Sequence, residues 1–205
     1  IFFNIMCTVG IEKNISSLLN KIKDIPGDIL ELGVFTGTNT YIIGNYIKEN
    51  SLDKKYVGFD SFEGYTEEDI LSSNNSQGLR KNQDAQRWNI SKTLVADNIK
   101  KRGLVNYCQI VVGDIKETVQ KYLDKMQPSY KISMVYIDCN AYLPAITALE
   151  ACKKYLSPGA LLVVDEHNIG GETQALNKFC ETTSVEIFNT GWKHPNGPRL
   201  FGEVK

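Results

Sequence analysis

Long apolar runs are missing from this 205-residue chain, whose uninterrupted hydrophobic stretches fall far short of the roughly 20 residues that cross a bilayer. That excludes a spanning helix, and the opening segment Ile1 to Cys7 lacks the basic start of a secretory signal, so a soluble protein without membrane partners is expected. An excess of either charge is also missing. With 23 Lys+Arg against 24 Asp+Glu, the chain carries no general basic field, and nucleic acid is not an expected partner. Histidine is scarce, with two residues, and the five cysteines form neither a C-x-x-C pair nor a Cys/His metal spacing. A zinc centre and a disulfide framework are thereby excluded, and a reducing, cytoplasmic setting fits. The chain opens on Ile1 rather than Met, which marks it as a trimmed product with an upstream segment expected.

What is present is a regular alternation of helical and extended patterns. Ile11, Ile15, Leu18, Leu19 and Ile22 recur at helical spacing between Val9 and Lys23, and Pro26-Gly27 ends that helix. Strands are predicted at 28–33, 56–60, 108–112, 132–138 and 160–165, with helices at 38–50, 90–102, 118–126 and 143–155 between them. The turn Ser157-Pro158-Gly159 leads into the fifth strand. A last helix at 173–181 precedes two strands, 185–188 and 200–204, with no helix between them. The expectation is a single α/β domain over 1–205: a doubly wound, Rossmann-like, seven-stranded and mostly parallel sheet with a C-terminal antiparallel hairpin. Residues from about 63 to 88 are polar and poor in aliphatics. They read as a lid over the site, with Arg80, Lys81, Arg87 and Trp88 as substrate-wall candidates or solvated surface.

Ligands of open α/β sheets bind beyond the carboxyl ends of the strands. Here those ends are acidic: Glu31, Asp60, Asp114, Asp138 and the pair Asp165-Glu166. Carboxylates in adjacent loops repel one another unless a ligand or cation compensates them. The turn Glu31-Leu32-Gly33-Val34-Phe35-Thr36-Gly37 lacks the G-x-G-x-x-G spacing of dinucleotide sites and has no basic residue for a pyrophosphate. It suits a cationic ligand better. Asp60, ending the second strand, stands where a carboxylate accepts both hydroxyls of a ribose.

Glycine turn, ribose acid and the further acid of Gly113-Asp114-Ile115 together resemble the class I S-adenosylmethionine (SAM)-dependent methyltransferases. A narrower resemblance lies in Tyr56-Val57-Gly58-Phe59-Asp60-Ser61-Phe62-Glu63-Gly64, in Tyr136 to Tyr142, and in Leu156-Ser157-Pro158-Gly159-Ala160 running to Val164-Asp165-Glu166. These are similar to the macrocin O-methyltransferase group, which methylates sugar hydroxyls with the help of magnesium. The resemblance implies a SAM site made by Glu31, Gly33, Phe35, Thr36, Gly37 and Thr38, then Asp60, Ser61 and Phe62, then Asp114, Ile115 and Asp138. It also implies an Mg²⁺ ion held by Asp138, Asp165 and Glu166, and a small hydroxylated acceptor, a sugar above all. Self-association is left open.

Three departures from the group's pattern stand out. Asp138-Cys139-Asn140 replaces its usual Asp-Gly-Asp, Asp165-Glu166-His167 replaces Asp-Asp-Tyr, and the chain is short. Asp138 and His167 are the expected catalytic residues, because a divalent cation lowers the pKa of a hydroxyl and a histidine beside it takes the proton. His194, the other histidine, lies in the Trp192-Lys193-His194-Pro195 loop and is the alternative base. A nicotinamide oxidoreductase is disfavoured by the glycine spacing and by the lack of any Tyr-x-x-x-Lys pair. Methyl transfer to amide or base nitrogen is disfavoured by the lack of an Asn/Asp-Pro-Pro-Tyr run. The competing class is a nucleoside-binding protein without catalysis.

Overall fold

The computed structural model describes residues 2–74, 85–165, 171–191 and 200–205, with side chains described from residue 10 in the first helix and from residue 92 in the fourth. Helix α1 (Phe2–Ile22) begins before the expected Val9 and lays Ile15, Leu18, Leu19 and Ile22 on the sheet as one buried face. It is followed by β1 (Asp28–Leu32), α2 (Thr38–Glu49), β2 (Tyr56–Asp60), α3 (Glu67–Ser72), α4 (Ala85–Lys101), β3 (Cys108–Val112) and α5 (Ile115–Leu123). The second half comprises β4 (Ile132–Ile137), α6 (Tyr142–Cys152), β5 (Leu156–Val164), α7 (Gly171–Cys180), β6 (Val185–Asn189) and β7 (Leu200–Val204).

The seven strands lie in the order β3-β2-β1-β4-β5-β7-β6, the first five parallel and β7 antiparallel to both β5 and β6. Alternate strand residues serve opposite faces. Leu30, Val57, Val135 and Leu162 pack with α5, α6 and α7, whereas Ile29, Tyr56, Met134 and Leu161 pack with α1, α2 and α4. Burial on both sides is why these strands read as continuous apolar runs. The order in which strands are added reverses between β1 and β4, and the crevice at that switch point is where the acidic strand ends converge.

Several boundaries differ from the sequence expectation for identifiable reasons. Strand β5 begins at Leu156, and Ser157-Pro158-Gly159 lies inside it rather than before it. The register passes from Ile132↔Leu156 to Met134↔Leu161, so the turn residues form a bulge along a paired strand. Helix α5 starts at Ile115 because the Asp114 side chain accepts the Lys116 amide at 2.9 Å as an N-cap. Helix α4 reaches back to Ala85 and takes in Arg87 and Trp88.

Within the expected lid, the stretch from Thr66 to Ser73 packs against the start of α6. Thr66 and Asp69 close a capping box on α3, Ile70 and Ala141 bury each other, and the Ser73 hydroxyl accepts the Tyr142 amide at 2.9 Å. Single apolar residues among polar ones are enough here, because α6 offers a ready surface. Arg80 and Lys81 lie outside the described residues.

Candidate active site

A cavity of about 390 Å³ opens at the carboxyl ends of β1, β2, β3 and β4, within the range of small-molecule sites. Its floor starts at Gly33, whose φ is +92° and where a Cβ would stand 2.1 Å from the Asp138 carbonyl oxygen. Only glycine lets β1 and β4 close this tightly at the site. Phe35, Phe62 and Asn140 also adopt positive φ, of 47°, 56° and 58°, so three non-glycine residues at adjacent strand ends hold uncommon backbone conformations.

Asp60 ties two loops together. Its Oδ2 accepts the backbone amides of Val34 and Phe35, both at 2.8 Å, and its Oδ1 accepts that of Phe62 at 2.7 Å. The turn after β1 and the turn after β2 are thus fastened to one carboxylate. On the far wall, Lys116 bridges Asp69 at 2.6 Å and Asp114 at 3.2 Å, which pins α3 against the start of α5. Both partners are largely shielded, the Lys116 and Asp69 side chains being 18% and 8% exposed, so water weakens this pair less than a surface one.

Beneath the cavity lies a buried polar array. Glu31 is fully enclosed, its Oε1 accepting the Asn39 amide at 2.8 Å and its Oε2 accepting the Tyr56 phenol, which in turn meets the Thr40 hydroxyl at 2.8 Å. Burial pushes the Glu31 carboxyl up from 4.5 to about 8 against those hydrogen bonds, with the charges of Asp165 and Asp60 adding to the rise. Glu31 is therefore mostly protonated at neutral pH. Asn39 also donates to Asp138 Oδ2 at 3.2 Å, and Tyr136 donates to Asp165 Oδ1 at 2.6 Å. Burial, reinforced by the charges of Asp165 and Asp138, holds the Tyr136 phenol well above its usual range and so keeps it a donor.

Of the residues named from sequence, Gly33, Phe35, Asp60, Ser61, Asp114, Ile115 and Asp138 line the cavity together. Glu31 stands behind the turn, Phe62 is buried in the core beneath it, Thr36 accepts the Tyr41 hydroxyl through its carbonyl, Gly37 precedes α2 at φ +81°, and Thr38 is exposed. None of these five lines the cavity. Asp165 sits at the end of β5, beside Asp138 at the end of β4. Glu166, His167 and His194 lie outside the described residues, and among the described ones no cluster of three metal-type side chains forms.

Sequence reasoning missed Tyr65, Thr66, Asp69, Asn140 and Pro144, which also line the cavity. The Thr66-Glu67-Glu68-Asp69 run was the available signal, a helix start in an apparently loose segment. A larger cleft of about 810 Å³ lies at the opposite, amino-terminal end of β1, β2 and β3. It is not the candidate site, because the loops that vary with chemistry emerge at the carboxyl ends. The described cysteines, Cys108, Cys139, Cys152 and Cys180, are unpaired, and among the described residues no helix is long and apolar enough to cross a membrane.

This sheet order, with a glycine turn, a loop-fastening Asp at the end of β2 and an acidic cavity at the switch point, defines a class I methyltransferase. The chain belongs to the macrocin-O-methyltransferase (TylF) family, whose family model matches residues 11–188, and it is accordingly a SAM-dependent O-methyltransferase. It is 24% identical over 179 residues, 83% of this chain and 67% of the relative, to 8-demethyl-8-(2,3-dimethoxy-alpha-L-rhamnosyl)-tetracenomycin-C 4'-O-methyltransferase of Streptomyces olivaceus. Among solved structures it is similar to the calicheamicin methyltransferase CalS11, at 26% identity and TM-score 0.65 over 92% of this chain and 77% of that one. The O-methyltransferase NovP shares the fold at 17% identity, with TM-score 0.70 over 97% of this chain and 79% of that one.

Proposed function

We propose that this enzyme transfers the SAM methyl group to a hydroxyl of a 6-deoxyhexose of the rhamnose type, assisted by Mg²⁺, in the cytoplasm. The observation that carries this reading is the pairing of Asp138 and Asp165 at the switch point beside the cavity, with Asp138 itself in the cavity wall. The sugar class is supported by two relatives, one named for a rhamnosyl tetracenomycin and the other, CalS11, described as a TDP-rhamnose 3'-O-methyltransferase.

SAM carries a sulfonium and an ammonium charge, and the cavity wall supplies Asp60, Asp114 and Asp138 for them and for the nucleoside. The backbone amides on Asp60 leave part of its acceptor capacity for ribose hydroxyls, since a carboxylate offers about four acceptor sites. Gly33 brings the main chain of the first turn close to the cofactor, and Ile115 lends an apolar surface to the adenine. Tyr65 and Asn140, hydrogen-bonded to each other at 3.3 Å, border the side where the acceptor enters.

Asp138 and Asp165 present hard oxygen donors on neighbouring strands, and each has one oxygen oriented by a neutral hydrogen-bond donor, so the residues present fit a magnesium ion. Asp138, Asp165 and Glu166 would hold it. Bound there, it would lower the pKa of the acceptor hydroxyl and fix its position. As the new C–O bond forms, the C–S bond breaks with its electron pair left on sulfur. The hydroxyl proton passes to His167, the imidazole next in sequence to the acids.

The test is a methyl-transfer assay with SAM on nucleotide-linked and aglycone-linked rhamnosides, with and without EDTA. Turnover on rhamnosides that EDTA abolishes supports the reading. Turnover confined to non-sugar phenols, or undiminished by EDTA, rejects the sugar or the metal part respectively.

A further inference from the structure

The turn after β1 takes positive φ at alternate residues: +92° at Gly33, +47° at Phe35 and +81° at Gly37. A non-glycine residue keeps such a conformation only where its surroundings over-determine it. Phe35, which lines the cavity, stands between two fastenings. On its amino side, Asp60 accepts the amides of Val34 and Phe35, both at 2.8 Å. On its carboxyl side, the Tyr41 hydroxyl donates to the Thr36 carbonyl at 3.0 Å, and the Gly37 amide returns to the Val34 carbonyl at 2.8 Å.

Tyr41 lies in the first turn of α2 and reaches that carbonyl from behind. Its approach depends on Gly37, where a Cβ would stand 2.7 Å from the Tyr41 hydroxyl oxygen. The ring is itself held from the α4 side. Asn98 hydrogen-bonds the phenol, and the Arg102 guanidinium, just past the end of α4, lies over the ring at 4.9 Å from its centre. Burial raises the pKa of the phenol above its usual value, so it stays a donor through the neutral range. Without the hydroxyl, the peptide between Thr36 and Gly37 could rotate about the permissive glycine and carry Phe35 with it.

We propose that Tyr41 is a positioning residue that fixes the back of the turn after β1, so that Gly33 and Phe35 meet the cofactor in their bound conformation. This rests on the reading above that places SAM against that turn, and it adds the residue that sets the turn's shape. Tyr41 does not line the cavity and acts through the main chain of Thr36. A preformed turn raises affinity because it need not be ordered on binding.

The experiment is calorimetry of the purified full chain with S-adenosylhomocysteine, for wild type, Tyr41→Phe, Arg102→Gln and Asp60→Ala. A thermal melt and amide hydrogen exchange, with and without S-adenosylhomocysteine, accompany each. Tyr41→Phe is expected to weaken binding by roughly 3–10-fold, the worth of one hydrogen bond, while the melt shifts by no more than about 2–4 °C. Exchange over residues 33–38 quickens in the free variant and returns to the wild-type rate at saturating S-adenosylhomocysteine. Arg102→Gln, an exposed change that loosens only the ring, weakens binding about twofold and carries the test where Tyr41→Phe fails to fold. A folded Tyr41→Phe with wild-type affinity and exchange overturns the positioning role, and a weakened Asp60→Ala in the same series leaves the cofactor placement standing. Exchange quickened alike over the whole chain assigns Tyr41 to general stability and overturns the role as well. If Asp60→Ala and Tyr41→Phe both bind as wild type does, or wild type binds nothing, the placement of the cofactor falls and the role with it.

Discussion

At the ends of β1 and β2 the loops at the cavity are fastened through main-chain amides, whereas at the ends of β4 and β5 Asp138, in the cavity wall, and Asp165, on the neighbouring strand, are held by side chains. In the first region Asp60 accepts three backbone amides, Gly33 lies against the Asp138 carbonyl, and the turns are held in place without a ligand. In the second, Asp138 and Asp165 each take a neutral donor, from Asn39 and Tyr136. The two halves therefore differ in how their acids are held. Backbone amides make Asp60 a clasp between two turns, while side-chain donors from the core orient Asp138 and Asp165 at the strand ends.

The strongest way to break this contrast is at the point where the halves touch. Gly33→Ala drives a Cβ against the Asp138 backbone at a positive φ, and a loss of more than about 3 kcal/mol is expected, with S-adenosylhomocysteine binding abolished. A melt within a degree or two of wild type would show that the two strand ends move apart easily. Asp165→Asn comes next. It keeps the shape and removes charge, so turnover on the acceptor falls by orders of magnitude while calorimetry with S-adenosylhomocysteine is unchanged. Equal turnover would make Asp165 a partner of Tyr136 and nothing more.

Glu31 connects the halves through Asn39 and gives a pH test. Its folded pKa of about 8 lies above the ordinary 4.5, so in that window the folded chain keeps a proton that the unfolded chain has released. Stability from this group is complete below the lower value and is lost as pH rises through the upper one. Between pH 5.5 and 8 the loss is about 3 kcal/mol, at about 1.36 kcal/mol per pH unit. Chemical denaturation of wild type and Glu31→Gln across that range should diverge by this amount, with the variant flatter; parallel curves would mean an ionised Glu31 in the folded state. The smallest effect is at Asp60. Asp60→Ala leaves three amides without their acceptor, which should cost about 1–3 kcal/mol in stability and a similar amount in SAM affinity, with turnover at saturation affected less. A drop in affinity without any loss of stability would assign Asp60 to the ribose alone.

Much of this site is legible along the chain because its positions are set by local rules. Strand ends follow from apolar runs that stop at an acid, and Asp60, Asp114 and Asp138 all line the cavity as expected from their places after β2, β3 and β4. Residues 66–73, in the expected lid, show where local reading stops. Ile70 is too isolated among polar residues to announce a core, yet it finds one ready-made against Ala141. The bulge at Ser157-Pro158-Gly159 was hidden for the converse reason: these residues speak locally for a turn, and only pairing of Leu156 with Ile132 keeps the strand going.

Sequence alone determined the α/β alternation, the seven strands, the parallel sheet with its antiparallel close and the identity of the strand-end acids, since periodicity of two and of 3.6 and the residue that ends each run are local properties. Tertiary structure decided which acids are clasped, which are enclosed and which are aimed. Asn39 meets Asp138 across 99 positions and Tyr136 meets Asp165 across 29, and neither asparagine nor tyrosine carries any local mark of such a partner. Only the closing of β1, β4 and β5 side by side, permitted by the missing side chain at Gly33, brings those donors beneath those acids.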